Sequence, residues 1–257
     1  MQDLTFWDHL EALRYMLFRS LGAMFVASIA FFVFMPQIFD SVVMAPCFGD
    51  FPVYKLFCDI SKLFTNDTTF CDESFQIQII NIRLASQFLI HMQMSFLFGL
   101  MASFPYMLFE IWKFIAPALY DKEKNGFRMA FSLSSLLFFA GICLSYFLVF
   151  PITLRFLAGY QLTNLVSNQL SLDSYISTFV SMNLVMGLVF ELPMLALILS
   201  KLGLVKRRFF RKYRKHAIIV LLIVAAVITP TGDPFTLMIV ALPLYILYEI
   251  SALLVKK

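Results

Sequence analysis

Long apolar stretches separated by short charged clusters organise this chain. The apolar runs fall at about residues 17–35, 87–107, 129–150, 175–199, 217–229 and 235–255. A helix needs about 20 apolar residues to cross a hydrocarbon core of roughly 30 Å. The pattern therefore predicts an all-α polytopic membrane protein of six transmembrane helices, the last two short or kinked. Within the first run the one charge is Arg19, expected to snorkel to the headgroups. Pro36 follows and is expected to end that helix. Ahead of it, residues 3–15 read as a separate amphipathic helix lying at the headgroups. Thr5 and Asp8 give a start signal, Phe6, Leu10, Leu13 and Leu17 recur at helical spacing, and Trp7 is an interface anchor.

The polar connections differ in kind. Residues 37–86 make the one sizeable segment outside the membrane, in which Gln76–Ile82 alternates and reads as a strand or a helix start. Between the second and third runs, Pro105–Glu123 mixes Phe109, Trp112 and Phe114 with Glu110 and Lys113, and Pro117 interrupts it. Aromatics and charges of that kind belong at a membrane–water boundary, so this stretch is expected to be a loop hugging the surface. Residues 154–173 are expected to form a second loop on the far side. Residues 217–228 span only about 18 Å as a helix, so thinning, snorkelling or burial among neighbours must meet the mismatch.

Composition agrees with the pattern. Of 257 residues, 61% are hydrophobic and 14% charged; soluble domains have about 25% charged residues. Asp3, Asp8 and Glu11 are unlike a basic secretory leader, so the first span is expected to be retained. A net charge of +4 says less than its distribution. With six spans, sixteen lysines and arginines fall on the side of both termini and four on the other. That asymmetry predicts cytoplasmic termini.

Glu191 is the strongest candidate for chemistry. A carboxylate within a span is costly unless it faces a polar interior. Asn183, Gly187 and Glu191 recur every four residues, and Pro193 frees the carbonyl of Val189. The expectation is an intramembrane polar stripe facing a cavity. The basic segment 201–215 is read as a topology determinant touching anionic lipid rather than nucleic acid. Cys47, Cys58 and Cys71 suit one disulfide with one thiol left over. Scattered histidines offer no metal site. No cofactor is expected, and no nucleophile–base pair or phosphate loop points to an enzyme.

The run PYMLFEIWKFIAPALYDKE, residues 105–123, closely resembles the first cytoplasmic loop of the TatC family. TatC is the multi-spanning subunit of the twin-arginine protein translocase. HLEALR (9–14), MAPC (44–47), YFLVFP, FELP, TPTGDP (229–234) and LYE also resemble family stretches. The resemblance implies a function: binding twin-arginine signal peptides of folded cargo and helping to export that cargo, driven by the proton-motive force. It implies that Glu11, Phe114 and Glu123 bind the signal peptide, and it matches Pro46, Glu191, Asp233 and Glu249 to family positions. Guanidinium pairs bidentately with carboxylates, which suits Glu11 and Glu123. Implied partners are small single-span subunits and further copies of the chain, in a bacterial inner membrane. The alternative is a proton-coupled secondary transporter of small solutes using Glu191, although no internal repeat is present.

Overall fold

The computed structural model describes residues 6–64, 76–116, 121–160, 169–201, 203, 205, 207–229 and 233–255. Its helices are α1 (Phe6–Ile38), α2 (Pro52–Phe64), α3 (Ser86–Ile115), α4 (Asp121–Leu144), α5 (Phe150–Gly159), α6 (Leu172–Val189), α7 (Leu192–Lys201), α8 (Arg207–Lys212), α9 (Arg214–Ile228) and α10 (Pro234–Leu254). Among the described residues, five stretches are long and apolar enough to cross a membrane: His9–Cys47, Ser86–Ile115, Ala130–Gly159, Leu172–Ser200 and Pro234–Leu253.

The first departure from expectation is α1. The surface helix and the first span are one continuous helix, and Pro36 lies inside it. Proline at 36 removes the donor that would bond the Phe32 carbonyl. His91 of α3 replaces it, with Nε2 donating to Phe32 O at 2.8 Å, and its ring stacks on Phe32 at 4.1 Å. Nothing then forces the helix to stop. A His91→Leu chain should leave that carbonyl bare in apolar surroundings. We expect it to lose about 1 kcal/mol of stability, read as a lower melting temperature in detergent; an unchanged value would mean the bond contributes nothing.

α1 and α3 run antiparallel in contact along most of their lengths. Contacts pair Ser28 with Gly99 near the middle, Phe31 with Phe98, Arg19 with Glu110 and His9 with Phe114 toward one end. A Cβ on Gly99 would lie 2.7 Å from Ser28 Cα and N, so glycine sets how close the helices come. Without water to drive association, small residues that permit such approach are how membrane helices pack.

The stretch 105–123 is mostly helical. α3 carries through Pro105 to Ile115, and α4 begins at Asp121. The expected loop missed this because it took the end of the apolar run for the end of the helix. Glu110 is buried and Lys113 exposed, so the helix continues amphipathically. Likewise α4 passes through a π-helical turn, Ser145–Val149, into α5, and Arg155, expected in a loop, is buried within that helix.

Residues 37–86 form a folded cap in their described part. A π-turn, Phe39–Val43, and a 3-10 turn, Ala45–Cys47, lead to α2. Ile79–Ile80 pairs in parallel with Leu170–Ser171, so the alternating segment is a short strand. Tyrosines fasten the cap: Tyr54 donates to Pro46 O (2.8 Å), Tyr146 to Val42 O (2.8 Å) and Tyr175 to Val43 O. The Arg155 guanidinium lies 4.8 Å from the centre of the Tyr54 ring. Burial pushes the Tyr54 phenol well above its ordinary range, partly offset by the positive charge of Arg155. Tyr54 therefore stays a neutral donor. Cys58 is disulfide-bonded, while Cys47 is buried and free; Cys71 lies outside the described residues.

α9 has 15 residues, about 22 Å at 1.5 Å each. That is still short of the hydrocarbon core. Ile219, Ile223 and Val227 are exposed at i, i+4 spacing, so one face is not packed against the other helices of the chain. Full burial within the chain is thereby excluded, and thinning or snorkelling must meet the mismatch.

Candidate functional site

Two groupings of polar side chains stand out: one inside the bundle, one where α1 starts and α3 ends.

The inner grouping centres on Glu191. The expected span 175–199 lies within one candidate span, Leu172–Ser200, whose helix has a two-residue turn there, with α6 ending at Val189 and α7 beginning at Leu192. Pro193 cannot donate to Val189 O, which is the local cause of the turn. The stripe Asn183–Gly187–Glu191 does share one face, and all three residues are buried. That face meets α4, not an open cavity. Ser134 donates to Glu191 Oε2. A Cβ on Gly187 would lie 2.8 Å from the Phe138 ring, and one on Gly141 would lie 2.7 Å from Met186 O. Asn183 Nδ2 donates to Phe179 O of its own helix at 2.7 Å. Glu191 Oε1, Asn183 Oδ1 and Ser145 Oγ are buried without a protein partner. Buried polar atoms left so are costly and suit a water or a polar ligand group. The π-turn that begins at Ser145 belongs to a class of bulge frequent at functional sites.

The second grouping joins α1 to α3. His9 stacks on Phe114 with ring centroids 4.4 Å apart. Phe114 is half-buried, and Glu11 is exposed two residues beyond His9. The Glu123 backbone lies in the first turn of α4, while its side chain is outside the described part.

Glu110 is the residue that sequence reasoning passed over. It is 5% exposed, accepts from Tyr106 Oη at 3.2 Å and lies 3.8 Å from Arg19. Arg19 is thus an ion-pair partner and does not simply snorkel. A signal existed: Tyr106, Glu110 and Phe114 recur at i, i+4 spacing on one helix face.

The remaining matched residues have local structural roles. Pro46 offers its carbonyl to Tyr54. Asp233 caps α10, accepting from Thr236 N at 2.8 Å, with Pro234 next to it in the first turn. Glu249 accepts from Arg214 Nε at 2.6 Å.

The family model described as Sec-independent protein translocase protein (TatC) matches residues 8–243. The chain belongs to the TatC family. A TatC protein of Blattabacterium sp. subsp. Periplaneta americana is 36% identical over 250 residues, 97% of this chain and 94% of that one. The TatC protein of Deinococcus radiodurans is 35% identical, covering 96% of this chain and 84% of its own length. Two crystal structures of a TatC described as the twin-arginine translocase receptor are 31% identical. They superpose with TM-scores of 0.74 and 0.77, covering 96% and 97% of this chain and 97% and 100% of theirs. The chain is therefore a multi-pass membrane subunit of the Sec-independent, twin-arginine protein translocase. The small-solute transporter alternative finds no support in these likenesses. Against the TatC pattern H-L-x-E-L-R, HLEALR has its acid one place early, with Ala12 in the acid's position. Glu11 is thus displaced by about 100° around α1 from the patterned acid.

Proposed function

We propose that this chain is the signal-peptide receptor of its translocase, binding twin-arginine peptides at the end of the bundle where α1 starts and α3 ends. The observation that carries this reading is the His9–Phe114 stack, which joins two separately matched segments of the chain. Glu11, Phe114 and Glu123 are the assigned contacts, Glu11 reaching the peptide from one place before the patterned acid, with carboxylates suited to the paired arginines. Glu191 and Asn183 are the assigned intramembrane polar site, and Pro46, Asp233 and Glu249 support the frame around them. Small single-span subunits and further copies of the chain are its partners. It works in the bacterial inner membrane with both termini in the cytoplasm, as the distribution of basic residues favours. It moves folded cargo by the proton-motive force, without a cofactor and without catalysing a reaction itself.

The test is photo-crosslinking from position 11 or 114 in intact membranes. A peptide carrying Arg-Arg should crosslink, and the same peptide with Lys-Lys should crosslink far less. Equal yields from the two peptides, or none from either, would overturn the reading.

A further inference from the structure

The short basic helix α8 has no part in the proposed receptor site, yet it is built into the bundle. The Tyr248 hydroxyl donates to Phe210 O at 2.8 Å, and the two rings lie 5.6 Å apart. These contacts hold α8 against the last turns of α10. Between α8, the start of α9 and α10 lies a cavity of about 480 Å³. Among the described residues, its polar lining includes Arg207, Arg211 and Arg214 against a single acid, Glu249. That acid is already engaged by Arg214 Nε at 2.6 Å, and the Arg214 side chain also meets Tyr245, so Arg207 and Arg211 are the cations left to hold an anion. Arg207 and Arg211 have no carboxylate partner among the described residues and sit one turn apart on one face of α8.

The cavity is amphipathic. Phe210 and Leu253 also line it. Along α10, Ile246, Ile250 and Leu253 are 49%, 41% and 65% exposed, giving an apolar stripe that leads away from the arginines. Free phosphate would use only the charged half of this site. A ligand with a phosphodiester at one end and a hydrocarbon chain at the other would use both halves. We propose that the α8–α9–α10 cavity is a binding site for one anionic phospholipid, its headgroup phosphate held by Arg207 and Arg211 and an acyl chain laid along α10. Guanidinium groups are suited to phosphate because their donors form a planar fork. Basic pockets between membrane helices are a known form of headgroup recognition.

The same segment supplies its own control. Arg208 and Lys212 lie on α8 but do not line the cavity. Diffuse attraction to a charged surface would be weakened equally by neutralising either pair, whereas a built site would not. The experiment is native mass spectrometry of the full chain in detergent, titrated with phosphatidylglycerol. The wild type and R208Q/K212Q should retain one bound lipid to the same extent. R207Q/R211Q should bind it at least tenfold more weakly, and phosphatidylcholine should bind the wild type poorly. Millimolar inorganic phosphate should not displace the lipid. Equal loss in both double variants, full displacement by phosphate, or equal retention of phosphatidylcholine would each overturn the proposal. Should R207Q/R211Q fail to insert, Arg211→Gln set against Arg208→Gln makes the same comparison with one charge removed.

Discussion

Chains carrying Glu123→Lys are expected to insert normally and to bind a twin-arginine peptide about ten- to a hundredfold more weakly. A hydrogen bond to a charged group contributes about 1.5–3 kcal/mol, and each 1.4 kcal/mol is about tenfold in affinity. Reversal adds repulsion between the new ammonium and the peptide's guanidinium groups. Insertion should be unaffected, because the residue lies in the first turn of α4 ahead of the candidate span Ala130–Gly159. The measurement is peptide affinity of the purified variant, with alkaline extraction of membranes to confirm insertion. Wild-type affinity in a properly inserted variant would remove Glu123 from the receptor site.

Gly99→Leu is expected to be the most damaging single change in the bundle. Its Cβ would lie 2.7 Å from the backbone of Ser28, and backbone cannot rotate away as a side chain can. α1 would have to move off α3, loosening the His91–Phe32 bond on one side and the Arg19–Glu110 pair on the other. Overpacking of this kind costs about 1–3 kcal/mol and sometimes more. Gly22→Leu is the matched control, since nothing lies within 4 Å of a Cβ built there. Thermal unfolding in detergent should show a melting temperature clearly lowered for Gly99→Leu and unchanged for Gly22→Leu. Equal behaviour of the two would mean that α1 and α3 do not rely on close approach at Gly99.

Proline shows where linear reading fails. Pro36, Pro105 and Pro243 all lie inside helices. Reading Pro36 as a helix end assumes that the freed carbonyl has no other partner. For Pro36 that partner is on α3, 59 residues along the chain. Pro193 does coincide with a turn, and it lies just beyond Glu191, whose side chain is tied to α4 rather than to its own helix. The same residue type thus continues one helix and ends another, according to what a neighbouring helix offers.

The acids divide in the same way. Glu191 was legible as a candidate site because a carboxylate inside an apolar run is costly wherever that run packs. Glu110 was not, because it lies where apolar and polar residues begin to mix. Only docking on α1 buries it beside Arg19. The polar stripe through Asn183 and Glu191 was legible as a face, but its direction was not. The expected cavity is instead the packed seam with α4, where Phe138 fills the space at Gly187.

What the sequence by itself determined is therefore the set of apolar runs, the asymmetry of basic residues between them, and the motifs that carry the family. These properties are local, since desolvation of an apolar run and the charges flanking it do not depend on which helix packs beside which. The tertiary structure decided how far α1 and α3 extend, the folding of residues 37–64 and 76–86 into a cap fastened by Tyr54, Tyr146 and Tyr175, the partners of Glu110 and Glu249, and the basic cavity beside α10. Each of these rests on a contact between residues distant in the chain. Periodicity along one helix tells which residues share a face, but the surface that face meets is set by close packing of several helices at once.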